Sequence, residues 1–80
     1  MTKPPTFTTV GVNALLDKLL QLGDLKNDAA LSRDLEVMPP VISKLRSGIL
    51  RLGASMILRI HDAFDMPIHD IRALAAGVAS

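Results

Sequence analysis

The side chains with the most chemistry to offer cluster in the stretch VMPPVISKLRSG, Val37 to Gly48. Ser43, Lys44, Arg46 and Ser47 fall there within five residues, and Arg51 follows shortly after. Hydroxyl donors and cations on one short segment suit an anion. From Pro39 to Arg59 the chain carries four basic residues (Lys44, Arg46, Arg51 and Arg59) and no acid. The rest of the chain holds five basic against eight acidic residues, a balance of −3. A local basic stretch on a chain of net charge +1 is the pattern of a small footprint on an anion. The same pattern also describes a merely solvated helix face.

Other chemistries lack their residues. The chain has no cysteine, so it has neither a disulfide framework nor a thiolate metal site. That fits a reducing, cytoplasmic setting. His61 and His69 each stand in an Ile-His-Asp triplet. A proline turn and eight positions separate them, which is not the i, i+4 spacing of helical metal ligands. No histidine has a matched nucleophile and no glycine-rich phosphate loop is present, so neither an enzyme, nor a metal, nor another cofactor is expected. The N-terminus lacks the basic and apolar regions of a signal peptide. No charge-free apolar run reaches the roughly 18 residues of a membrane span.

These residues need elements to hold them. Eighty residues make one domain that buries only about 60% of its unfolded surface. Residues 1–11, with Pro4-Pro5 and several threonines, are expected to form a flexible arm. Asn13 is expected to cap a first helix with a stripe of Leu15, Leu16, Leu19, Leu20 and Leu22. Gly23-Asp24 ends it. Asn27 caps a second helix, with Asp28 in its first turn and Leu31 and Leu35 facing inward, and Ser32, Arg33 and Asp34 largely on its other faces.

Pro39-Pro40 then raise a question, because prolines break helices in their interior. In the first turn the backbone N–H has no intrahelical partner, so prolines there can begin a helix. Met38 is its expected N-cap, Ile42 and Leu45 its inner face, Ser43, Lys44 and Arg46 its outer face, and Ser47-Gly48 its end. A fourth helix starts at Gly53 or Ser55 with Ile57, Ile60 and Phe64 inside. A fifth runs from about Ile68 with Ile71, Leu74 and Ala75, before Gly77. No strand-like alternation occurs. The expected fold is all-α, a compact bundle of about five short helices with short connections, over residues 12–76, followed by a tail at 77–80.

The stretch from Leu31 to Gly48 resembles the helix-turn-helix of the lambda-repressor-like (Cro/C1-type) DNA-binding family. Leu31 and Ser32 match the leucine and small residue that open the motif's first helix. Leu35 matches its second inward leucine, Glu36 and Val37 the turn and valine, Ile42 and Leu45 the aliphatics of the recognition helix, and Gly48 the glycine after it. Phe64-Asp65-Met66 stands where the family has a phrase before its last helix. Glu36 occupies a position that is usually glycine with positive φ, which predicts a strained or differently shaped turn. Met38-Pro39-Pro40 replace the usual polar, base-reading opening.

The resemblance implies a recognition helix in the major groove of double-stranded DNA. Lys44 would donate to guanine O6 or N7, and Ser43 could pair with several bases. Met38, Pro39 and Pro40 would offer apolar contact to thymine methyls. Asn27, Arg46, Ser47 and Arg51 would hold phosphates, which set register rather than sequence. Such modules act as two-fold homodimers on pseudo-palindromes. Hydrophobic residues are 49% of a chain with two aromatics, a surplus expected to leave an apolar patch for a partner. Ile49 and Leu50, or Ile68, Ile71 and Val78, are candidates. The expected function is a sequence-specific transcriptional regulator, a prokaryotic or phage Cro-like repressor. The alternative is a protein-interaction module, such as the antitoxin of a toxin–antitoxin pair.

Overall fold

The computed structural model describes residues 7–77. Among these the chain forms five helices and no strand: α1 (Thr9–Leu22), α2 (Asp28–Asp34), α3 (Pro39–Ser47), α4 (Ala54–Phe64) and α5 (Ile68–Ala75). The all-α expectation holds. No helix among the described residues is long and apolar enough to cross a membrane.

The first helix begins earlier than its leucine stripe suggests. Thr8 is the N-cap, and its Oγ1 accepts from the Gly11 N–H at 2.9 Å. Asn13 therefore lies inside α1 rather than at its start, and Thr9–Gly11, expected in the arm, are helical. Residues 1–6 of that arm lie outside the described residues. The reason for the early start is tertiary. The Thr8 N–H donates to the Ala75 carbonyl at 3.0 Å, which ties the head of α1 to the end of α5. Gly11 makes this approach possible: a Cβ there would collide with the Ala75 carbonyl and sit 2.8 Å from Gly77 N. The glycine is a packing residue rather than a breaker.

Around α1 the other helices assemble. It packs against α5 and α3, while α2 packs on α3 and α4 on α5. Leu15, Leu16 and Leu19 from α1 meet Leu31, Leu35, Ile42, Leu45, Ile60 and Ile71, all essentially without solvent contact. Each such side chain contributes about 2 kcal/mol by leaving water. Val12 joins this core, whereas Leu22 is exposed. Ile71 is fully buried, so it is not free to serve as dimer surface. Val78 lies outside the described residues.

The turn from α2 to α3 carries strain. Glu36 takes φ 58°, a left-handed backbone that costs a non-glycine residue roughly 1–2 kcal/mol. The turn is held regardless. Val37 N–H bonds to Ser32 O at 2.9 Å, and Arg59 reaches from α4 to the carbonyls of Leu35 and Glu36. Arg59 is exposed, and its guanidinium lies over the end of α2. Ser32, expected on an outer face, is buried. Its hydroxyl donates to the Ala29 carbonyl at 2.7 Å, so no polar atom is left unpaired there.

Candidate nucleic-acid interface

Met38 is extended at φ −74° and ψ 144° and makes no side-chain cap bond. Proline after it disfavours helical angles at Met38 and so marks the boundary. Pro39 and Pro40 occupy the first two helical positions, where they have no N–H to leave unsatisfied. The next N–H, on Val41, returns to the Met38 carbonyl at 2.9 Å. The prolines thus open α3 without a capping side chain. At the far end Gly48 closes the helix at φ 82°, a conformation that glycine adopts without a Cβ penalty.

The phase of α3 then sorts its side chains. Ile42 and Leu45 are buried. Met38, Pro39, Pro40, Ser43, Lys44 and Ser47 are exposed. The helix itself contains no acid. Among the described residues no carboxylate pairs with Lys44 or with Arg51, which is exposed in the following loop. Arg51 borders a cavity of about 490 Å³ lined also by Phe7, Thr9, Gly48, Leu50 and Leu52.

Arg46 departs from expectation. Its Nε and Nη2 donate to the two oxygens of Asp28 at 2.7 and 2.9 Å, a bidentate pair. Its Nη1 donates to Asn13 Oδ1 at 2.8 Å and lies 3.0 Å from Asp17 Oδ1. Asn13 completes the loop by donating from Nδ2 to the Arg46 carbonyl at 2.8 Å. The side chain is 24% exposed. Its pKa is raised, first by the hydrogen bonds it donates to Asp28, with burial opposing. A raised value in the folded state means that its stabilisation is complete at neutral pH and is lost only in strong alkali. All three nitrogens donate within the chain, so Arg46 ties α1, α2 and α3 together, and only one Nη2 hydrogen is left without a partner.

The remaining phosphate candidates stand as follows. Asn27 Oδ1 accepts from the Ala30 N–H at 3.0 Å as the cap of α2, which leaves only its exposed amide nitrogen to donate. Asp28 beside it is neutralised by Arg46. Ser47 Oγ donates to the Lys44 carbonyl at 3.2 Å, so in this rotamer it has no hydrogen for a phosphate. Arg51 alone of the four is an uncommitted cation. Arg33, exposed on α2, adds a further positive side chain. Asn13 was missed as a network residue; Asn13 and Asp17, four apart on one side of α1, were its only sequence signal.

His61 Nδ1 lies 2.7 Å from the Met66 carbonyl. A carbonyl only accepts, so that nitrogen carries the proton and pins the α4–α5 turn. Among the described residues no group of three or more His, Cys, Asp or Glu is arranged to hold a metal ion.

No protein-family model, curated protein or solved structure matches this chain.

Proposed function

We propose that this chain is a small sequence-specific DNA-binding regulator, a Cro-like repressor that acts in the cytoplasm and binds a pseudo-palindromic operator as a homodimer. One observation carries the reading. α3 is anchored from inside by Ile42, Leu45 and Arg46, and it offers solvent an acid-free surface of Met38, Pro39, Pro40, Ser43 and Lys44. A rigid helix with that surface fits a major groove, with its N-terminal end towards the base edges. Lys44 donates to guanine O6 or N7, Ser43 adds a tolerant hydrogen bond, and Met38 with the prolines meets thymine methyls. Arg51 and the Asn27 amide hold phosphates. Arg46 positions α3 and touches no DNA. Repression follows from occupancy of the operator.

Salt tests this reading. Binding to a mixed-sequence duplex should weaken with log[salt] at a slope of about 0.9 per phosphate neutralised. Arg51→Ala should make that slope shallower, whereas Lys44→Ala should cost affinity at the bases it faces. Binding that is absent, or indifferent to salt, contradicts it.

A second reading has its own support. Val10, Ile49 and Leu50 are exposed aliphatics, Val10 and Ile49 at 81% and 77%. Thr9 lies against Gly48, so the residues beside them are neighbours in space. An apolar edge of this kind favours a protein contact, either the second copy of a dimer or, in the interaction-module reading, a toxin.

A further inference from the structure

The tip of α3 carries an oxidisable atom in an unusual position. Met38 is 72% exposed, whereas Met56 and Met66 are 8% and 7% exposed and lie in the core. Methionine reacts with peroxide according to access. Among the described residues the fold therefore separates one reactive thioether from two protected ones; the fourth methionine, Met1, lies outside them. We infer that Met38 is a redox modification site, whose conversion to the sulfoxide switches off the DNA-reading surface of α3 without unfolding the protein. The inference rests on the proposed function, with hydrogen peroxide as the oxidant.

The step balances simply. A sulfur lone pair attacks one peroxide oxygen, the O–O bond breaks, the S–O bond forms, and the second oxygen leaves as water. Sulfur loses two electrons and the peroxide gains them.

The position of Met38 decides what the new oxygen does. At most helix starts an N-cap acceptor would be satisfied by the N–H of the second or third helical residue. Here the first two positions are Pro39 and Pro40, which have no N–H. The third, Val41, already donates to the Met38 carbonyl. The sulfoxide oxygen therefore finds no free backbone donor in the first turn of its own helix. On DNA it would replace an apolar group against a thymine methyl, among phosphate oxygens, guanine O6 and N7 and thymine O4, which are acceptors like itself; only adenine N6 and cytosine N4 could donate to it. An apolar contact becomes a polar one with no partner at the methyl. Met38 belongs neither to the core nor to the hydrophobics packed against it, so its oxidation should leave the core intact.

The test treats the full chain and Met38→Leu with limiting hydrogen peroxide. Peptide mass spectrometry follows each methionine, far-UV circular dichroism the fold, and a mixed-sequence duplex the binding. Met38 should gain oxygen roughly tenfold faster than Met56 or Met66. Helicity should stay constant while duplex affinity falls about tenfold, the loss of one apolar contact. Met38→Leu, whatever its starting affinity, should bind duplex equally before and after peroxide. Methionine sulfoxide reductase with a dithiol should restore the wild type. Equal oxidation of Met38, Met56 and Met66, full binding with Met38 oxidised, or an equal loss in Met38→Leu would each overturn the switch. Failure of the untreated protein to bind duplex would overturn the proposed function and the switch together.

Discussion

Lys44 and Arg46 are two residues apart on α3 and lead opposite lives. Lys44 stands in solvent with no carboxylate partner among the described residues. Arg46 is locked by Asp28, Asp17 and Asn13 into the seam between three helices. Two positions on a helix are about 200° apart, so one cation faces solvent and the other faces the scaffold. The comparison separates charge that binds from charge that builds. A guanidinium suits the second task, since its planar fork matches a carboxylate on one edge and an amide oxygen on another. A flexible ammonium suits the first.

The largest effect should come from the buried face. Leu45→Ala removes a fully enclosed side chain from α3 and should cost about 3 kcal/mol in urea unfolding. A cost near zero would mean that α3 is not anchored in the core. Arg46→Ala should follow at about 2 kcal/mol, reduced from the loss expected for a deeply buried pair because Asp17 and Asp28 are partly exposed. Arg46→Lys keeps the charge and loses the fork, so its cost should fall between that of Arg46→Ala and the wild type. If Arg46→Ala were neutral to folding yet weakened DNA binding through a shallower salt slope, the two cations would have to exchange roles.

Smaller changes sharpen the contrast. Glu36→Gly relieves a left-handed residue at φ 58° and should stabilise the fold by about 0.5 kcal/mol once glycine's greater unfolded-state entropy is counted. The thermal midpoint would register it. Lys44→Ala should leave stability within about 0.5 kcal/mol of the wild type, and its effect should appear only when DNA is present.

The same contrast shows where sequence reading works and where it stops. The opening of α3 was legible because Pro39-Pro40 impose their geometry locally, and the cap at Asn27 was legible for the same reason. Ile42 and Leu45 followed from helical spacing. The fate of Arg46 was hidden, since its partners Asp28 and Asn13 lie 18 and 33 residues away in sequence and meet it only after three helices pack. Asn13 was misread as a cap because Thr8 supplies the cap and Gly11 serves a close approach to α5. Ser32 was placed outside by its polarity, although a hydroxyl bonded to its own helix can enter a core. The candidate surface thus holds fewer uncommitted cations than its composition promised, and on the proposed reading Lys44 and Arg51 are the pair to test.

Selection of bound sequences from random duplex DNA, run side by side on the wild type and Lys44→Ala at moderate salt, tests the central claim most directly. The wild type should enrich a two-fold-symmetric site with half-sites about one helical turn apart, and Lys44→Ala should lose or relax it at the bases that Lys44 faces. No enrichment by the wild type, or an identical site chosen equally well by the variant, would contradict the assignment of α3 as the reading helix.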